Sequence, residues 1–145
     1  EVYELTYGKS ETKSIDFNIV GWNSSYTLDA IPEIEMSDWQ YRTVERIKRC
    51  NPNSVWEIGC GTGLLMWKLL DSVSKYYGTD LSAETIFNLK QELRKQGVTN
   101  AIVEQRFADN PPEFSEKEFD LTLINSVIQY FPSAHAVLPL PIPLL

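Results

Sequence analysis

The chain has 145 residues, in which 20 Asp and Glu outweigh 13 Lys and Arg for a formal net charge of −7. That length allows one sizeable core and hardly two, and the acidic excess speaks against a nucleic-acid backbone or an anionic membrane as partner, because both attract a cationic face. Two cysteines and one histidine, His135, are too few for a disulfide framework, a zinc site or a His-based triad, and no apolar run approaches the roughly 20 residues that span a bilayer.

Residues 1–32 read as an irregular lead-in punctuated by Gly8, Gly21 and Pro32. Within it, Gly21-Trp22-Asn23-Ser24-Ser25-Tyr26 packs turn formers around two aromatics, and its last four residues are a candidate lid. Residues 33–132 carry the core. Ser37 with Gln40 three places later is a capping-box pattern that predicts a helix from Ser37, with Met36, Trp39, Val44 and Ile47 on one face. Asn51-Pro52 stops it, since proline disfavours helical geometry in the preceding residue.

The hydrophobic period then shortens. Ser54-Val55-Trp56-Glu57-Ile58 reads as a strand closed by Gly59-Cys60-Gly61-Thr62-Gly63, and residues 64–70 as an apolar helix. Lys75 to Asp80 is a second strand. Ser82 caps a helix that carries Ile86, Leu89 and Leu93 on one face and ends at Gly97. Ala101 to Gln105 is a third strand, and residues 119–125 a fourth, apolar enough for a sheet interior. Strands alternating with helices predict an α/β fold with a parallel sheet. Residues 133–145 hold no formally charged side chain, and Pro139, Pro141 and Pro143 alternate with Leu and Ile, which rules out a central strand there.

The chemistry concentrates in Glu57-Ile58-Gly59-Cys60-Gly61-Thr62-Gly63, set between a strand and a helix. Glycines there permit a tight turn and close approach of a ligand to the backbone. Asp80, about 20 residues on at the end of the next strand, stands where a carboxylate grips ribose hydroxyls in nucleotide-type folds. A dinucleotide fingerprint counted from Gly59 needs a glycine where Leu64 stands. With Glu57 just before the turn, a ligand bearing an ammonium and a sulfonium fits better than a pyrophosphate, which prefers a helix N-terminus clear of carboxylates. The residues therefore favour S-adenosylmethionine over NAD. Asn125, Gln129 and Tyr130, at and beyond the carboxyl end of the fourth strand, are the candidate catalytic residues, because ligands of open α/β sheets bind there. Asn110-Pro111-Pro112 is not the N-P-P-Y signature of amino-methylating DNA enzymes: it follows the third strand and runs into Glu113.

On these residues the sequence resembles a known family. Val55-Trp56-Glu57-Ile58-Gly59-Cys60-Gly61-Thr62-Gly63 resembles motif I of class I S-adenosylmethionine-dependent methyltransferases, and Tyr77-Gly78-Thr79-Asp80-Leu81-Ser82 resembles their acidic second motif. Gly21-Trp22-Asn23-Ser24-Ser25-Tyr26-Thr27 and Asn125-Ser126-Val127-Ile128-Gln129-Tyr130-Phe131-Pro132 are similar to blocks of the methyltransferase domains embedded in nonribosomal peptide synthetases. The resemblance implies a Rossmann-like sheet in the order 3-2-1-4, cut short before strands five to seven. It implies that Glu57, Gly59, Cys60, Gly61 and Gly63 hold the methionine end of the cofactor, Asp80 and Leu81 the ribose, and Ala108 and Asp109 the adenine, with Phe107 or Ala108 against the ring. Asn125 would serve both cofactor and acceptor, beside Gln129 and Tyr130. The implied reaction is N-methylation of a carrier-bound aminoacyl or peptidyl group. A free-standing small-molecule methyltransferase and a truncated, inactive cofactor-binding module are the alternatives. A sheet that ends at its fourth strand exposes an edge that invites self-association, and a reduced, cytoplasmic setting is expected.

Overall fold

The computed structural model describes residues 15–19, 22–24, 28–107, 113 and 118–125. Among them, helices and strands alternate as α1 (Glu33–Arg49), β1 (Ser54–Ile58), α2 (Met66–Leu69), β2 (Lys75–Asp80), α3 (Ala83–Lys95), β3 (Ala101–Gln105) and β4 (Leu121–Ile124). All strand pairings are parallel, in the order β3-β2-β1-β4 that the resemblance implies. Residues 133–145 and the first 14 lie outside the described residues.

The inner strands explain their own apolar runs. Val55 to Ile58 of β1 and Tyr76 to Thr79 of β2 are buried without alternation, as strands covered on both faces require. Register places Val55 beside Tyr76 and Leu121, and Glu57 beside Gly78 and Leu123, so these residues share one face. Onto that face pack Val44 and Ile47 of α1, Met66 and Leu69 of α2, and Ile86, Leu89 and Leu93 of α3. Burying each such side chain contributes about 1.5–3 kcal/mol. On the opposite face the Trp56 indole N–H donates to Thr79 Oγ1 at 3.3 Å.

Three predicted boundaries shift, each for a tertiary reason. Helix α1 begins at Glu33, one turn before Ser37, after Pro32, which accepts from the amides of Glu35 and Met36. Gln40 therefore caps nothing. It lies on the buried face with Met36, Val44 and Ile47, and its Nε2 donates to the carbonyls of Leu64 (2.7 Å) and Asp16 (2.9 Å). The single helix expected over 64–70 is split into α2 and a 3-10 turn at Leu70–Ser72, after a turn that Gly63 enters with φ +82°. Helix α3 matches its reading: Ser82 Oγ accepts from the Thr85 amide at 3.1 Å, and the Val98 amide bonds back to Leu93 O past Gly97.

Strand β4 begins at Leu121 rather than at position 119, because Asp120 has another task. Its Oδ2 accepts from the Asn53 amide (3.0 Å), and its Oδ1 from the Ser54 amide (2.8 Å) and hydroxyl (3.1 Å), which staples β4 to the start of β1. Burial pushes the Asp120 pKa up, but these donors together outweigh it and hold the carboxyl below its ordinary value. Asp120→Ala is expected to cost about 1–2 kcal/mol in urea unfolding at neutral pH. A group with a depressed folded pKa stabilises above its unfolded pKa and stops doing so as pH falls through the folded one. The gap between wild type and variant should therefore close in acid.

The described residues of the lead-in are seated on this frame. Thr62 Oγ1 donates to Asn18 O at 2.6 Å, Lys68 pairs with Asp16, and Ile19 packs with Met36 and Leu64. Trp22 stacks at a tilt on Trp39, 4.7 Å between centroids, and Asn23 makes an antiparallel bridge to Ala30.

Candidate cofactor site

The carboxyl ends of β1 and β2 lie side by side, and the glycine turn starts from them. The amides of Gly59 and Cys60 both donate to Thr79 O, at 2.7 and 3.0 Å, so the turn is anchored on β2 as it leaves β1. Gly59, Gly61 and Gly63 take φ of +78°, +52° and +82°. Three left-handed residues at alternate positions wrap the backbone tightly, which is the physical content of the G-x-G-x-G spacing.

Asp80 closes the arrangement. Its Oδ2 accepts from the Gly61 amide at 2.9 Å and its Oδ1 from the Ser82 amide at 3.0 Å, so one carboxylate ties the glycine turn to the entry of α3. Leu81 follows, 39% exposed on the same edge. Gln105, at the end of β3, donates Nε2 to Leu81 O at 3.0 Å, and the Arg106 amide donates to Asp80 O. Phe107, 62% exposed, comes next in the chain after this clasp. Asn125 follows Ile124, whose register partner is Ile58, and so stands beside the start of the turn.

Glu57 is placed differently from a surface ligand. It is only 4% exposed, and the Tyr76 hydroxyl donates to its Oε2 at 2.6 Å. Burial drives its pKa up to about 8, the Tyr76 hydrogen bond opposes that rise, and the nearby Asp80 charge adds to it. Cys60 is tucked behind the turn where Gly78 leaves room: a Cβ on Gly78 would stand 3.0 Å from its Sγ. Burial, then Glu57 and Asp80, push the Cys60 thiol well up, so it is a neutral packing residue.

The fold thus gathers Glu57, Gly59, Cys60, Gly61, Gly63, Asp80, Leu81 and Asn125 at one edge. Ala108, Asp109, Gln129 and Tyr130, like Ser25 and Tyr26 of the candidate lid, lie outside the described residues. Sequence reasoning missed Tyr76, Thr62 and Gln105. For Tyr76 a signal existed, since a long polar-tipped side chain opposite Val55 reaches the residue two places along the neighbouring strand. The site fits S-adenosylmethionine on its own chemistry. It is acidic, and its glycine turn lets a ligand approach the backbone closely.

Residues 56–139 match the family described as methyltransferase domain. Chondramide synthase cmdD of Chondromyces crocatus is 46% identical over 118 residues, which are 81% of this chain and 3% of that protein. Nonribosomal peptide synthetase penN of Penicillium thymicola is 32% identical over 138 residues, covering 88% of this chain and 5% of that protein. The chain thus spans a small part of the curated relatives it matches. Among solved structures, the YcgJ protein of Bacillus subtilis aligns with TM-score 0.53 at 21% identity, over 59% of this chain and 36% of its own. The methyltransferase domain of bacterial CtHen1-CN aligns at 0.52 and 20% identity, over 60% and 48%. These two speak for the fold. With the family match running over more than half its length, the chain belongs to the methyltransferase domain family, on a class I Rossmann-like sheet, and is similar to segments of nonribosomal peptide synthetases.

Proposed function

We propose that this chain binds S-adenosylmethionine at the carboxyl edge of β1 and β2 and, within its whole protein, N-methylates an aminoacyl or peptidyl group held on a carrier protein. The observation that carries the reading is the pair of carboxyls, Glu57 and Asp80, gathered at a turn of three left-handed glycines. That acidity suits a cationic ligand and opposes a pyrophosphate. Glu57 with the glycine turn takes the methionine end, Asp80 the ribose, Leu81 and Phe107 the apolar sides of the nucleoside, and Ala108 with Asp109 the adenine. When bound, S-adenosylmethionine supplies a methyl group on a sulfonium, open to attack by a neutral amine. The work of Asn125, Gln129 and Tyr130 is to present the already neutral amine in line, with an oxygen acceptor orienting it through one of its N–H bonds. Holding such a pair in a near-attack geometry can supply about 7–11 kcal/mol. Cys50 and Cys60 are both free thiols, which suits a reducing cytoplasmic setting. No helix among the described residues is long and apolar enough to cross a membrane.

The test is transfer of isotopically labelled methyl from S-adenosylmethionine to an aminoacyl-pantetheine thioester, with the free amino acid as competitor. Label on the thioester's nitrogen is expected. Label on the free amino acid alone supports a small-molecule methyltransferase instead, and cofactor binding with no transfer supports an inactive module.

A further inference from the structure

Glu57 belongs to the glycine motif as read from sequence, but Tyr76, its buried partner, does not, and the pair lies directly beneath the turn. Glu57 comes from the last third of β1 and Tyr76 from the start of β2, and parallel register sets them two residues apart along the sheet, at hydroxyl-to-carboxyl distance of 2.6 Å. Both are almost fully buried. The groups that act on Glu57 are the hydroxyl of Tyr76 and the charge of Asp80 at the end of β2, with the Cys60 thiol close by on the turn. Its register neighbours are Gly78 on β2 and Leu123 on β4, and beyond Gly78 stands Val103 of β3. Helices α1, α2 and α3 turn Val44, Ile47, Met66, Leu69, Ile86 and Leu89 to this face. Among the described residues, the ionisable groups acting on the carboxyl are thus an acid and a phenol, with a thiol close by and no cation.

We propose that Tyr76 is a positioning residue that makes methyl-donor binding release a proton: its hydroxyl steadies the ionised form of Glu57, which is protonated until a cationic ligand arrives. The inference rests on the cofactor reading above and goes further, because it assigns the site a coupling and gives Tyr76 a role. The balance is simple. The Glu57 O–H bond breaks, the proton leaves to solvent, and the carboxylate negative charge is matched by the ligand ammonium. A buried carboxyl whose pKa stands near 8 is mostly protonated at pH 7, so binding there requires deprotonation, and affinity rises with pH until Glu57 ionises unaided. Because a hydrogen bond to a charged form favours that form, removing the Tyr76 hydroxyl makes ionisation harder and moves the rise to higher pH.

The experiment is calorimetric titration of the full chain with S-adenosylhomocysteine, in two buffers of different ionisation enthalpy, at pH 7 and pH 8.5. Wild type is expected to release close to one proton per site at pH 7 and clearly less at pH 8.5. Tyr76→Phe should bind about tenfold more weakly at pH 7, narrowing to about threefold at pH 8.5, as expected for a one-unit rise in the Glu57 pKa. Glu57→Gln, which keeps the shape without the proton, should bind weakly, release none and show no pH dependence. Tight binding without proton release, or a Tyr76→Phe deficit equal at both pH values, overturns the coupling and leaves the cofactor reading standing. No binding by folded wild type overturns the cofactor reading and the coupling with it. If Tyr76→Phe fails to fold, the wild-type proton count and Glu57→Gln decide the matter.

Discussion

Replacing Asp80 with alanine is expected to weaken S-adenosylhomocysteine binding by at least about a hundredfold. Two losses combine. Hydrogen bonds from ribose hydroxyls to a charged acceptor are each worth about 1.5–3 kcal/mol, and one or two disappear. The carboxylate also ties the Gly61 amide at 2.9 Å to the Ser82 amide at 3.0 Å, so without it the glycine turn and the entry of α3 lose their common brace. Asp80→Asn tests whether both carboxylate oxygens are needed. Both Asp80 oxygens accept from backbone N–H groups, and an amide has only one oxygen, so asparagine must aim an N–H at another N–H. Asparagine should therefore weaken binding almost as much as alanine despite its matching shape. Calorimetric titration with a parallel thermal melt checks this. Unchanged affinity in a folded Asp80→Ala chain would remove Asp80 from the ribose site.

Gly63→Ala is expected to destabilise the fold by about 2–5 kcal/mol. Gly63 has φ +82°, where a side chain costs about 1–2 kcal/mol. Its Cβ would stand 2.9 Å from Trp67 Nε1 and 3.1 Å from both Leu89 Cδ1 and Met66 Cε. Met66 and Leu89 are buried in the main core, so neither gives way cheaply, and overpacking of this kind costs about 1–3 kcal/mol. Gly97→Ala is the matched control. It has φ +67° with nothing within 4 Å of the added carbon, so only the backbone cost of about 1–2 kcal/mol applies. Urea unfolding of the two variants separates strain from crowding. Equal losses would mean that the turn yields around the new methyl.

Much of the candidate site can be read directly because its signals are local. The turn needs left-handed backbone at alternate positions, and Gly59, Gly61 and Gly63 stand at those positions. Asp80 ends a strand whose apolar run marks its own limits, and Ser82 caps the helix that follows with a bond to an amide three residues on. Strands β1, β2 and β3 run between the residues their composition suggests, since two of them have continuous buried runs and each is bounded by polar or turn-forming residues.

Where the reading failed, a polar residue had a distant partner. Gln40 resembled a cap in its local setting, but it is a buried donor to Leu64 O, 24 residues away. Asp120 resembled the second residue of a strand, but its carboxylate holds the amides of Asn53 and Ser54. For Glu57 the local setting shows an acid beside the turn but not the hydrogen bond it accepts from Tyr76, 19 residues on.

Periodicity, caps and positive-φ turns act over a few residues, so the order of elements, the glycine turn and its spaced acid are written in the chain and can be read from it. The partner of a buried polar group depends on which strands pair, in what register, and which helix face turns inward. Those choices follow from burying the apolar surface of the whole sheet together, and only the folded structure makes Glu57 a buried neighbour of Tyr76 rather than an exposed carboxylate.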